Sequence, residues 1–123
     1  MPGLIIIIQK KNDLFHRNRN VIHEMTKTIM HESFYKSQFM EIPELGLHAS
    51  KVYLDHQYSP KQISRNEDES IQCMFSGELY GSSEIMNELL HDKHIVRNQN
   101  DISELIIHLY EEKREKFLRH LNG

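Results

Sequence analysis

The sequence predicts an α+β fold, and three observations carry that reading. A short run of mostly β-branched residues, Leu4-Ile5-Ile6-Ile7-Ile8, opens the chain as a strand. Segments with apolar residues at helical spacing follow it and also close the chain. The resulting order is strand, helix, strand, strand, helix, helix, with no βαβ repeat and no glycine-rich phosphate loop after a strand, which separates it from nucleotide-binding α/β folds.

The uninterrupted run Leu4–Ile8 has the pattern of a strand buried on both faces, and the polar stretch Lys10-Lys11-Asn12-Asp13 ends it. From about Arg19 to Phe34, Val21, Ile22, Met25, Ile29 and Met30 recur at helical spacing, with Asn18 or Asn20 placed to cap the helix. Pro43 and Gly46 punctuate the chain before His48, Ser50, Val52 and Leu54, which share one face of a strand. Residues 59–70 are almost wholly polar and predict a surface loop.

Ile71 to Phe75 forms a short apolar strand that Ser76-Gly77 closes with a sharp turn. Ser82 to Leu90 predicts a helix with Ile85, Met86, Leu89 and Leu90 on its apolar side, Ser82 or Ser83 as cap and Glu84 in the first turn. The clearest helix runs from about Ile102 to Leu121, capped by Asp101, with Leu105, Ile106, Leu109, Phe117 and Leu121 in its stripe and Gly123 just past its end. Its charges, Glu111, Glu112 and Glu115 among Lys113, Arg114 and Lys116, alternate in sign and predict a solvated face.

At 123 residues and 38% apolar content, residues 1–123 read as a single domain with a modest core. Eighteen acidic against fifteen basic side chains, net charge -3, give no reason to bind a polyanion, so no nucleic-acid partner is expected. The longest apolar run, Leu4–Ile8, is too short for a membrane span or a signal-peptide core, and the single cysteine forms no internal disulfide. A cytoplasmic location with no membrane partner is the expectation.

Nine histidines are many for this length, and His91 with His94, or His48 with His56, would be the start of a metal site. Zinc wants three or four ligands at characteristic spacing, so the expectation is no metal, with scattered surface histidines and one or two packed ones. Cys73, flanked by Ile71, Met74 and Phe75, reads as a packed structural residue rather than a nucleophile. Removal of Met1 would leave Pro2 as a secondary amine ahead of a strand, and an N-terminal amine is a competent base near neutrality. One enzymatic alternative follows: a tautomerase-like enzyme with Pro2 as base, since members of that superfamily resemble this chain in length and in beginning Met-Pro before a buried strand.

Three segments carry a more specific resemblance. Phe75-Ser76-Gly77-Glu78-Leu79-Tyr80 is similar to Phe-Asn-Gly-Glu-Ile-Tyr, and a helix containing Glu88-Leu89-Leu90 follows it. Ser103 to Glu112, then Phe117-Leu118, then Leu121-Asn122-Gly123 continue the match, and Met1-Pro2-Gly3-Leu4 is close to Met-Cys-Gly-Ile. In this order the segments resemble the N-terminal glutaminase domain of the asparagine synthetase family, a class II glutamine amidotransferase of the N-terminal-nucleophile hydrolase type.

The resemblance implies an αββα sandwich in which an N-terminal Cys attacks the glutamine side-chain amide, and ammonia passes to an ATP-using synthetase domain, a ligase of asparagine biosynthesis. At the nucleophile position this sequence holds Pro2, which has no thiol, so the thioester cannot form. Ser76 stands where the family's oxyanion-hole Asn is, Gly77 is retained, and Glu78 matches the carboxylate near the glutamine α-amine. The Asp of the family's Asp-x-Glu aligns with Ile102, one residue after Asp101, and the carboxylate-clamping Arg has no counterpart around His48 to Lys51, where Lys51 is the only cation.

The expectation is therefore a degenerate, non-catalytic domain, a pseudoenzyme without cofactor, with Ser76, Gly77, Glu78 and Asp101 as remnants of a glutamine pocket. A glutamine- or amino-acid-sensing domain with a weak ligand is a further alternative. Leu121-Asn122-Gly123 resembles a motif that leads into further strands in the family, so the chain is expected to be the truncated first part of the sandwich. Unpaired strand edges then favour a homo-oligomer or docking on a synthetase domain.

Overall fold

The structure, a computed structural model, describes residues 3–10, 15–54 and 63–122. It is α+β, and the chain divides into two compact units, Met1–Ser59 and Pro60–Gly123.

The first unit is a three-stranded antiparallel sheet covered on one face by a helix. Strand β1 (Gly3–Ile8), helix α1 (Phe15–Ile29), β2 (Tyr35–Ile42) and β3 (Leu47–Leu54) follow in order, and the sheet order is β1-β3-β2. A single 3₁₀ turn, Pro43–Leu45, joins β2 to β3 in a hairpin whose register pairs Ile42 with Leu47. Gly46 ends that turn in the left-handed region at φ 59°, and its carbonyl accepts from the Gln9 N–H at 3.0 Å, tying the hairpin to the end of β1.

Period-two alternation decides which side chains meet α1. Ile5 and Ile7 pair with Ser50 and His48, which pair in turn with Phe39 and Glu41, so these six share one face. Helix α1 lies on that face: Phe15 stacks on His48 with ring centres 4.1 Å apart, His23 on Phe39 at 4.1 Å, and Arg19 reaches Glu41. The Thr26 hydroxyl shares hydrogen bonds with the Ile22 carbonyl (2.7 Å) and the Ser50 hydroxyl (2.8 Å), both buried.

Several expectations change here. Among the described residues β1 lies at a sheet edge rather than buried on both faces, and Leu4, Ile6 and Ile8 on its other face are exposed. Helix α1 starts about four residues earlier than its apolar spacing suggests, so Asn18 and Asn20 lie inside it and cap nothing; the Asn18 amide instead bonds the Gln9 side chain. Its buried residues are Ile22 and Thr26, while Val21 and Met25 face outward. Strand β2 replaces what the sequence leaves unassigned. The shared face of β3 is as expected at His48, Ser50 and Val52, but Leu54 is exposed.

The second unit holds β4 (Ser64–Arg65), β5 (Gln72–Cys73), α2 (Ser82–His91), α3 (Ile102–Lys113) and a 3₁₀ segment, Arg114–His120. Leu79, Ile85, Met86, Leu89, Leu105 and Leu109 form its core, with Phe75, Val96, Ile102, Phe117 and Leu121 packed around them. Helix α3 is buried from Ser103 to Leu109 and also packs on β4 and β5.

The polar stretch 63–70 is no simple surface loop. Ser64 and Arg65 pair with Cys73 and Gln72, and Asn66 closes the connection by accepting from the Ile71 N–H at 2.8 Å through its side chain. The predicted strand Ile71–Phe75 shrinks to two ladder residues, and Cys73 is half-buried. Helix α2 is capped by Gly81 rather than by Ser82 or Ser83. The long C-terminal helix stops at Lys113, because Arg114 takes φ 50° and the chain continues as 3₁₀. Among the described residues no helix is long and apolar enough to cross a membrane.

Candidate functional site

The segment 74–79 leaves β5 without regular structure and delivers the motif residues. Gly77 adopts φ 133°, a conformation open to glycine and strained for any other residue. Leu79 is buried in the core of the second unit and anchors the segment. The Tyr80 N–H donates to the Asn122 carbonyl at 2.7 Å in an isolated antiparallel bridge. Two of the three segments that suggested a family, one around Gly77 and one around Asn122, are thus side by side.

Just ahead of those anchors Ser76 is half-buried, and Gly77 and Glu78 are exposed. Tyr80 Oη donates to Glu78 Oε2 at 3.0 Å, and that carboxylate holds the phenol above its ordinary value. Glu78 thus presents a surface carboxylate beside the turn.

Asp101 is placed differently. Its Oδ1 accepts from the Ser103 N–H at 2.9 Å as the N-cap of α3, and its Oδ2 accepts from Ser64 Oγ at 2.5 Å. Both oxygens are engaged by the fold: Asp101 caps a helix and latches β4 onto it. Pro2 lies outside the described residues, as does His56.

The residues that the sequence reading did not assemble lie at the other end of α2. Asp92 and Lys93 end that helix in a Schellman turn: Lys93, at φ 66°, donates to Leu90 O at 3.2 Å, and the His94 N–H donates to Leu89 O at 3.0 Å. The following loop is held by Glu104, whose buried carboxylate accepts from the N–H groups of Arg97 (2.6 Å) and Asn98 (3.0 Å). His94 is thereby carried to α3, where His108 and Glu111 sit one turn apart. Ligand atoms of His94, His108 and Glu111 all lie within 4.8 Å of one another.

Glu111 is correspondingly not part of a solvated face. Its Oε2 is 3.2 Å from His108 Nδ1, and its Oε1 accepts from Asn66 Nδ2 at 3.0 Å. His91, the partner that the sequence suggests for His94, points its largely exposed ring at Asp92 at 3.4 Å. The usable signal was His108-x-x-Glu111, helical spacing that puts both side chains on one face.

Residues 48–123 match the family described as a glutamine amidotransferase domain. No curated protein and no solved structure matches the chain.

Proposed function

Because the chain belongs to the glutamine amidotransferase domain family, matched from β3 to its last residue, we propose that it is a degenerate member that no longer hydrolyses glutamine. The observation that carries the reading is at the nucleophile position: Pro2 stands where Met1-Pro2-Gly3-Leu4 aligns with Met-Cys-Gly-Ile, and a prolyl ring offers no thiol to attack an amide. The one cysteine of the chain is half-buried in the β4–β5 ladder, opposite Ser64, a poor setting for a replacement nucleophile.

The remaining features fit retention of the scaffold without its chemistry. Gly77 keeps the turn, while Ser76 offers a hydroxyl where the asparagine synthetase type has a side-chain amide. On this reading the domain adopts the αββα sandwich of the N-terminal-nucleophile hydrolases and works by docking on a second copy or on an ATP-using synthetase domain. Incubation of the purified chain with glutamine is expected to release no ammonia above the buffer blank. Turnover that disappears in Cys73→Ser overturns the proposal.

Glu78 favours a second reading, retained binding without hydrolysis. Its carboxylate is exposed beside a turn whose geometry the family motif prescribes, and an α-amine is the group it would meet. Calorimetry with millimolar glutamine tests this: heat that is lost in Glu78→Ala supports binding, and no heat with the unmodified chain excludes it.

A further inference from the structure

We propose that His94, His108 and Glu111 bind one divalent transition-metal cation of the zinc class, in a site that shares no residue with the Gly77–Glu78 turn. Two imidazoles and one carboxylate are a donor set suited to zinc and its neighbours, whereas calcium and magnesium prefer all-oxygen sites. The three donors fall within 4.8 Å of one another. The His108 Nδ1 to Glu111 Oε2 separation, 3.2 Å, is close to the edge of about 3.3 Å expected for a tetrahedron with ligands about 2.0 Å from zinc.

Each ligand is also held in place by something other than a metal. His108 is buried and lies one turn from Glu104, its Nε2 3.8 Å from Glu104 Oε1. Glu111 has one oxygen fixed by Asn66 from the β4–β5 connection, which leaves the other directed at His108. His94 follows a left-handed Lys93, and the Schellman hydrogen bonds set its backbone. Such outer supports are what orient the ligands of a metal centre.

Three protein donors leave a fourth position. Glu112 Oε2, 3.4 Å from His94 Nε2, is placed to fill it or to orient the His94 ring, and water is the other occupant. The His94 side chain is about one-fifth exposed and Glu112 beside it about two-fifths, so the cluster lies at the edge of the surface.

The test is a titration of the full chain, stripped with chelator and dialysed, with Co²⁺ followed by visible absorption and then displaced by Zn²⁺. One Co²⁺ per chain with the intense bands of a low-coordinate site is expected. Affinity should fall about tenfold or more in His94→Ala and in Glu111→Gln and remain unchanged in His91→Ala. Far-UV circular dichroism confirms that each variant is folded; if His108→Asn does not fold, the partly exposed His94 still carries the test. Absence of stoichiometric binding overturns the site, as does binding that survives both His94→Ala and Glu111→Gln or that weakens equally in His91→Ala. Those last outcomes would leave the cluster as an ordinary network of histidine–carboxylate contacts.

Discussion

At Gly46 the backbone leaves no room for a side chain. A Cβ there would lie 2.0 Å from the Gln9 carbonyl oxygen, and the residue is already at φ 59°. Gly46→Ala must therefore move the hairpin or the end of β1, and a loss of about 2 kcal/mol or more is expected by chemical denaturation. Asp101→Ala removes an N-cap and the Ser64 latch together, for an expected loss of about 1–2 kcal/mol, whereas Asp101→Asn keeps an acceptor for the cap and costs less. Arg19 bonds Glu41 through Nε at 2.7 Å and Nη2 at 2.5 Å, which holds the carboxyl below its usual range; His48 nearby adds a smaller effect in the same direction. A carboxylate with a depressed folded-state pKa contributes stability above its unfolded pKa and loses it as pH falls through the folded value. Stability measured from neutral pH into the acid range should fall more steeply in the unmodified chain than in Arg19→Ala, and equal slopes would show that the pair does not matter.

At the scale of elements, the Schellman turn after α2 places a lysine where glycine is at ease. Lys93→Gly is expected to raise stability by about 0.5–1 kcal/mol and to leave the position of His94 unchanged. Thermal denaturation checks it, and a destabilised variant would mean that the turn is not strained. What the sequence made legible follows from similar local physics. The helices α2 and α3 were legible because their apolar spacing and the Asp101 cap agree with the packed core. Helix α1 departs from its apolar spacing because the side it turns to the sheet buries only Ile22 and Thr26 and is completed by Phe15 stacked on His48 and an exposed Arg19 paired with Glu41, whereas the spacing points to Val21 and Met25, which face outward. Strand β2 has no clear sequence signal because Lys36, Ser37 and Gln38 interrupt its apolar pattern; its place is secured by pairing along all of β3. The Gly77–Glu78 turn was visible as a motif. The His94 cluster was not, because a loop held by Glu104 brings together residues far apart in sequence.

At the scale of the whole molecule, the sheet of the first unit ends, among the described residues, in two edges, β1 and β2, and β1 carries Ile6 at 58% and Ile8 at 65% exposure. Such an edge with apolar side chains invites pairing with another chain. Light scattering is expected to find a dimer or larger assembly, shifted toward monomer by Ile6→Lys with Ile8→Lys; a monodisperse monomer for the unmodified chain counts against self-association. The central claim, a glutamine amidotransferase domain that has lost covalent attack on its substrate, is tested most directly by intact mass. The purified chain is incubated with a glutamine analogue that bears a diazoketone in place of the side-chain amide, which alkylates a nucleophile poised for that chemistry. An unchanged mass is predicted; a single stoichiometric adduct, blocked by excess glutamine, would contradict the claim and identify the attacking residue.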